Sequence, residues 1–106
     1  MNSIHIFYTE AAIDDLDLIF DYISTENYVA AHSLLDKLES GINKLKEFPK
    51  LGAVLPANEL SYIENGYRFL TINSYMIFYR IEEEKVIIAR ILDSRRDWLF
   101  LLFEGK

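Results

Sequence analysis

The sequence predicts an α+β domain with the element order β-α-α-β-β-β-α, in which an antiparallel sheet carries an N-terminal helical hairpin on one face. Two observations lead to this prediction. Residues 67–92 contain three runs rich in Ile, Tyr and Phe separated by short polar turns, which is typical of an antiparallel meander. Before them lie two stretches in which apolar residues recur every three or four positions, which is typical of amphipathic helices.

The bulk composition indicates one domain over residues 1–106. Apolar residues make up 51% of the chain, which is ample for one core, and the absence of cysteine excludes disulfides and thiolate metal sites. We expect neither a metal nor a cofactor. Neither a secretory signal nor an apolar run of membrane-spanning length is present, so we expect a cytoplasmic protein with no membrane partner.

The net charge of −6 is unevenly placed along the chain. Residues 1–43 carry eight acidic residues and one basic residue, whereas residues 44–106 carry nine acidic and ten basic residues. Overall acidity argues against indiscriminate binding of nucleic acid, because such binding depends on neutralising phosphates. A local basic site is still compatible with this charge distribution.

The first predicted elements are a short strand over residues 4–8, expected to extend the meander, and a helix over residues 10–24. Thr9 is a good N-cap, and the acidic residues that follow it suit the positive end of a helix dipole. The apolar stripe of this helix has the spacing i, i+4, i+7, i+8 and i+11, at Ala12, Leu16, Ile19, Phe20 and Ile23.

The second predicted helix spans residues 28–48, with Asn27 as its N-cap and Pro49 as its stop. Gly41 lies inside it, where a glycine costs about 1 kcal/mol relative to alanine. We expect close approach to the first helix to compensate for that cost. The short connection between the two helices predicts an antiparallel helical hairpin.

The remaining connections are less regular. Residues 49–66 contain both prolines of the chain and read as a long irregular segment that packs down through its apolar side chains. After the meander, Ser94 is expected to cap a last short helix.

The turn chemistry fixes the expected register of the meander. Residues 73–74 form a two-residue turn, since Asn tolerates the positive φ that a tight hairpin needs. This turn places Arg68 opposite Tyr79, and a second turn of even length would place Ile77 opposite Arg90.

Side-chain alternation then gives the predicted sheet two different faces. One is almost wholly apolar and is expected to lie under the helices: Phe69, Thr71, Met76, Phe78, Ile87, Ala89 and Ile91. The other is mixed and is expected to carry any function of the sheet: Arg68, Leu70, Tyr75, Ile77, Tyr79, Ile88 and Arg90.

A family resemblance extends over most of the chain. It consists of short pieces in a fixed order: Thr9-Glu10-Ala11-Ala12, Asp15-Leu16, Tyr22-Ile23, Ala30-Ala31, Phe48-Pro49 with Gly52, Tyr67-Arg68, Tyr75 to Tyr79, and Val86 to Leu92 leading into Arg95-Arg96-Asp97-Trp98. In these features the chain resembles the RelE/ParE superfamily of bacterial type II toxin–antitoxin systems. The long helical hairpin, Phe48-Pro49 and the segment 95–97 resemble the ParE side more closely.

The resemblance implies a growth-arresting toxin that is neutralised by a cognate antitoxin. Three hypotheses follow from it. The first is a ParE-like inhibitor of DNA gyrase, which acts by protein–protein contact. The second is a RelE-like endonuclease that cuts messenger RNA on the ribosome, and the third is a non-toxic relic of the fold that still binds an antitoxin. A homodimer and a heterotetramer with the antitoxin are both compatible with the resemblance.

Only the second hypothesis makes the chain an enzyme. Its catalytic residues would be Arg68, Arg90 and Tyr79, because arginine matches phosphate oxygens and Arg68 corresponds to an arginine that RelE-like enzymes use. The proton shuttle is missing, however, since the two histidines lie far from the meander and residues 51–66 contain no lysine. The structural alternative is that these arginines bind nearby carboxylates.

The expected partner surface combines the mixed sheet face with the C-terminal apolar run. For target or antitoxin binding we select Arg95, Arg96, Trp98, Leu70, Ile77 and Leu102, with Ile88 beside them. These residues offer more apolar surface than one small domain is expected to bury, and exposed apolar patches often mark partner sites. The structural alternative for Arg95 and Arg96 is an ion pair with Asp93 or Asp97.

Overall fold

The computed structural model describes residues 4–55 and 66–95. The elements are β1 (His5–Tyr8), α1 (Glu10–Ser24), α2 (Tyr28–Asn43), a 3₁₀ turn (Lys44–Lys46), β2 (Ala53–Val54), β3 (Tyr67–Ile72), β4 (Tyr75–Glu82) and β5 (Lys85–Asp93). The strands form one sheet in the order β1-β5-β4-β3-β2. The α+β prediction is therefore confirmed, but the predicted order lacked β2, a two-residue strand within the segment expected to be irregular. The predicted last helix lies outside the described residues.

The sheet is mixed, and the prediction of an antiparallel sheet is corrected at its first strand. β1 pairs in parallel with β5, with Phe7 opposite Ile87, whereas the β2–β3, β3–β4 and β4–β5 pairs are antiparallel. A parallel pair needs a long crossover connection. The helical hairpin and the strands after it supply that crossover, which lets β1 join the free edge of β5.

Both predicted helix starts are confirmed by their capping hydrogen bonds. The Thr9 hydroxyl accepts from the Ala12 N–H at 3.1 Å and donates to the Ala89 carbonyl at 2.8 Å, so this cap also ties α1 to β5. The Asn27 side chain accepts from the Ala30 N–H at 2.9 Å. α2 ends at Asn43 rather than at residue 48, because its last stretch tightens into the 3₁₀ turn that often ends a helix.

Gly41 allows α2 to pack closely against the sheet, whereas the sequence predicted close packing against α1. A Cβ at this position would overlap the side chain of Ile72 on β3. The expected compensation by close packing is present, but the partner is a strand because the open side of α2 at Gly41 faces the end of β3.

The predicted register holds through β3 and β4 and shifts by one residue in β5. Arg68 lies opposite Tyr79, as predicted. A β-bulge between Phe78 and Tyr79 then places Arg90 opposite Phe78, so the predicted pair of Ile77 with Arg90 is wrong. The bulge adds one residue to β5, and a bulge of this kind re-aims the side chains that follow it.

The helices cover the mixed face of the sheet, so the predicted assignment of the two faces is wrong. The core beneath the helices joins helix residues to sheet residues, mostly of the mixed face: Ala12, Leu38, Ile42 and Leu45 with Ile77, Tyr79, Val86, Ile88 and Ile91. Ile91 was predicted on the other face and joins this core because the bulge shifts it opposite Ile77. The face predicted to lie under the helices forms a second cluster instead, made of Leu55, Met76, Phe78 and Leu92 with Tyr67 and Phe69 packed against it. The polar groups of the mixed face can be buried because the structure supplies them with partners, described below.

In the described part of the chain, α1 has 15 residues and α2 has 16, and neither could serve as a membrane-spanning helix.

Leu38→Ala and Phe78→Ala should each lower the free energy of unfolding by about 2–5 kcal/mol, because each removes a fully buried side chain and leaves a cavity. Leu38 is 1% exposed in the helix-covered core and Phe78 is 0% exposed in the second cluster. Urea denaturation measures the loss. Leu18→Ala is the control, since Leu18 is 69% exposed, and its effect should stay within about 0.5 kcal/mol. Losses below about 0.5 kcal/mol for both core variants would contradict this description of the two clusters.

Candidate functional site

Two of the predicted catalytic residues, Arg68 and Tyr79, bind the backbone of the loop that follows the 3₁₀ turn. The Tyr79 hydroxyl donates to the Pro49 carbonyl at 2.8 Å and accepts from the Gly52 N–H at 2.8 Å. The Arg68 guanidinium donates to the Gly52 carbonyl at 2.8 Å and to the Lys50 carbonyl at 3.3 Å. Both side chains therefore hold residues 49–52 against the sheet, and we call this set of contacts the loop clamp.

Gly52 is required by the loop clamp because only a hydrogen fits between the loop and the sheet. A Cβ at Gly52 would lie 2.6 Å from the Phe69 carbonyl oxygen and 2.8 Å from the Tyr79 hydroxyl. Any larger residue would push the loop away from both.

The electrostatics of Tyr79 suit a structural hydroxyl. Its side chain is 0% exposed. Burial raises the pKa of Tyr79 above its usual value, opposed in part by the Gly52 hydrogen bond and the charge of Arg68. A neutral phenol can donate and accept at once, which is how Tyr79 is used here.

Arg90 is held by a carboxylate that the sequence reasoning did not select. Its Nε donates to Asp15 Oδ2 at 2.8 Å and its Nη2 donates to Asp15 Oδ1 at 2.9 Å, a bidentate pair. Asp15 Oδ2 also accepts from the Ile91 N–H at 2.9 Å. The hydrogen bond with Asp15 is the main cause that raises the pKa of Arg90. The structural alternative for Arg90, a nearby carboxylate, is therefore confirmed.

The sequence contains an indication that Asp15 lies at the edge of the core. Asp15 stands three residues after Ala12, in the spacing that places it beside the apolar stripe of α1. It is only 7% exposed. A carboxylate beside an apolar stripe needs a cation, and the arginines of the meander were the candidates.

Arg95 makes an exposed ion pair just after β5. Its Nη2 lies 2.7 Å from Asp93 Oδ2, and Asp93 Oδ1 accepts from both the Arg95 Nε and the Arg95 N–H at 2.9 Å. The structural alternative for Arg95 is confirmed by this pair. Burial, followed by the charge of Asp93, raises the pKa of the neighbouring Tyr75. The other predicted partner residues of this region, Arg96, Trp98 and Leu102, lie outside the described residues.

The sheet residues selected for a partner surface lie beneath the helices. Ile77 and Ile88 are 0% exposed, and Leu70 is half-buried against the same core. The prediction that this face is open to a partner is wrong for the reason given above, that α1 and α2 cover it.

An open apolar groove lies between α1 and α2. It encloses about 470 Å³ and is lined by Tyr8, Ile13, Leu16, Asp17, Phe20, His32, Leu35, Leu38, Glu39 and Ile42. Its lining is mostly apolar, and Asp17 and Glu39 contribute negative charge. The side chains of Phe20 and His32 pack edge to face with ring centroids 5.1 Å apart.

The described part of the chain shows no metal-binding cluster of His, Asp and Glu side chains. His32 stacks on Phe20 and on Tyr28, and His5 lies on β1. The structure thus places both histidines away from the loop clamp, where a nuclease would need a proton shuttle.

Comparisons with known proteins point to one family. The family model of the ParE toxin of the type II toxin–antitoxin system parDE matches residues 6–98. The chain is 33% identical to Toxin ParE3 of Caulobacter vibrioides over 88 residues, which cover 82% of this chain and 83% of that protein. Its fold is similar to a solved structure of the chromosomal ParDE TA system from P. aeruginosa, with a TM-score of 0.68, 22% identity, and coverage of 85% of this chain and 95% of that chain.

Asp15→Ala should lower the free energy of unfolding by about 3–5 kcal/mol, because it leaves the Arg90 guanidinium without its buried partner. The side chains of Arg90 and Asp15 are only 15% and 9% exposed. Glu82→Ala is the control, since it breaks the Arg80 pair whose side chains are 31% and 49% exposed, and it should change stability by less than about 1 kcal/mol. Equal losses for the two variants in urea would contradict a special role for the Asp15 pair.

Tyr79→Phe should destabilise the fold by about 1–3 kcal/mol, because the Gly52 N–H and the Pro49 carbonyl lose their partner. It should also change the alkaline limit of stability. The folded pKa of Tyr79 is raised above 10.0, so its contribution is complete below that pH and falls as the pH rises through the folded pKa. Thermal melts between neutral and strongly alkaline pH should therefore show a shallower loss for Tyr79→Phe than for the native chain. Tyr28→Phe, at an exposed tyrosine, is the control, and a matching slope for both variants would contradict the assignment.

Proposed function

Because the chain belongs to the ParE toxin family of type II toxin–antitoxin systems, we propose that it arrests growth by inhibiting DNA gyrase through protein–protein contact. This choice rests on one observation: the side chains that a nuclease would use are engaged in contacts within the fold. Arg68 and Tyr79 bind loop backbone, and Arg90 binds Asp15. Side chains already engaged in this way are poorly placed to stabilise a phosphorane, which favours the gyrase hypothesis over the RelE-like nuclease hypothesis.

We further propose that the antitoxin uses the groove between α1 and α2. The groove is apolar, and the surrounding residues 1–43 carry a large excess of negative charge. An amphipathic antitoxin segment with basic side chains would match both properties, since helices commonly dock their apolar face into such grooves. Arg95, Arg96, Trp98 and Leu102 remain candidates for contacts with the antitoxin or the target.

The non-toxic relic remains a second candidate function, because a protein that only binds an antitoxin would need no surface other than the groove between α1 and α2. A cytoplasmic location follows from the proposed target. A homodimer and a heterotetramer with the antitoxin stay predictions.

Expression of the chain alone should stop growth with loss of DNA supercoiling before bulk protein synthesis declines. The physical reason is that the proposed target is an enzyme of DNA topology, whereas the ribosome is untouched. Plasmid topoisomers and amino-acid incorporation are measured on the same culture. The control is the same culture with the cognate antitoxin co-expressed, in which growth should continue.

Other outcomes separate the three hypotheses. Translation that fails first, with cleaved messenger RNA, would favour the nuclease, and in that case Arg68→Gln, which leaves the buried Asp15–Arg90 pair intact, should abolish cleavage. Normal growth on expression of the folded chain would favour the relic.

A further inference from the structure

The segment after α2 differs in charge from the acidic helices before it. Three of the chain's lysines, Lys44, Lys46 and Lys50, lie within seven residues. The same segment exposes three large apolar side chains by about half or more: Phe48 at 60%, Leu51 at 49% and Val54 at 57%. We call residues 44–54 the basic apolar ledge.

Three of the nine large apolar side chains exposed among the described residues lie in this one short segment. Single exposed apolar residues are normal on protein surfaces, but a group of them marks an interaction site far more often. Phe48, Leu51 and Val54 lie within one stretch of seven residues, and the Leu51 N–H donates to the Phe48 carbonyl at 3.0 Å. Their exposure is thus a feature of one ordered segment.

The loop clamp fixes the ledge from beneath. The buried Tyr79 hydroxyl and Arg68 bind the backbone at residues 49–52, and Val54 pairs with Arg68 in the β2–β3 ladder. A partner that binds a fixed segment loses less conformational entropy than one that must order it. The side chains that a nuclease would use thus hold an apolar surface in place.

The lysines define the chemistry of the partner. The ion pairs formed among residues 4–55 and 66–95 are made by Arg80, Arg90 and Arg95. Within these ranges the three ledge lysines form no ion pair, so their charge is available to a partner, and Glu47 is the one acidic residue among them. Complementary charges at an interface steer binding and select the partner, so the matching surface carries carboxylates beside apolar side chains.

We propose that the basic apolar ledge is the surface by which this chain contacts DNA gyrase, at an acidic and partly apolar region of that enzyme. This rests on the proposed function. The antitoxin fits the ledge less well than it fits the groove, because the groove lies among negative charges and the ledge is positive. Two surfaces of opposite charge suit two different partners.

Inhibition of supercoiling by purified DNA gyrase on relaxed plasmid tests the proposal. Phe48→Ser with Leu51→Ser should raise the concentration for half-inhibition by at least about tenfold, as the loss of central apolar contacts does. Lys44→Glu with Lys50→Glu should weaken inhibition as well, and the remaining inhibition should depend less on salt, because a screened attraction has been removed.

Each pair has a matched control elsewhere on the surface. Leu18→Ser with Val29→Ser changes two apolar residues that are 69% and 76% exposed on the helical hairpin. Lys37→Glu with Lys85→Glu makes the same change in net charge at exposed lysines outside the ledge. Both control proteins should inhibit gyrase like the native chain, and thermal melts establish that all four variants are folded.

The outcomes distinguish the two proposals. Inhibition by the native chain with equal inhibition by both ledge variants would overturn the ledge and leave the gyrase target standing. Loss of inhibition in the control pairs as well would overturn the ledge as the specific contact. Failure of the folded native chain to inhibit gyrase at any concentration would overturn the proposed function, and with it the proposed occupant of the ledge.

Discussion

The fold depends on burying a sheet face that carries polar groups. The helices lie over Tyr79 and beside the Arg68 and Arg90 positions, where an unpaired hydroxyl or guanidinium would be costly. Each of these groups has a partner: loop backbone for Arg68 and Tyr79, and Asp15 for Arg90. No buried side-chain nitrogen or oxygen among the described residues lacks a hydrogen bond. These pairings fix where α1 and the loop after the 3₁₀ turn sit on the sheet.

The same pairings bear on chemistry. An arginine that binds a buried carboxylate in a bidentate pair has its donors directed at that carboxylate and away from a phosphate. In this chain Arg68, Arg90 and Tyr79 join separate segments of the fold. A toxin built in this way acts more readily through its surface shape and charge than through acid–base catalysis, which agrees with the proposed gyrase target.

The surface of the molecule separates by charge. The helical hairpin is acidic and encloses the groove, whereas residues 44–54 are basic and expose Phe48 and Leu51. A toxin that must bind both an inhibitor and a target gains from two surfaces of opposite sign, because each partner is then repelled from the other's site. The loop clamp links this division to the core, since it holds the basic segment in place.

Local chemistry in the sequence determined the elements and much of their pairing. Thr9 and Asn27 set the helix starts, Asn73 with its φ of 55° closes the first hairpin, and the pair of Arg68 with Tyr79 follows from that turn. Tertiary structure alone decided which face the helices cover, the bulge that moved Arg90, and the partner of Asp15. These depend on contacts between residues far apart in the chain, such as the 75-residue separation of Asp15 and Arg90. Periodicity shows that the two faces differ, but the partners available to the polar groups are what allow the helices to cover the mixed face.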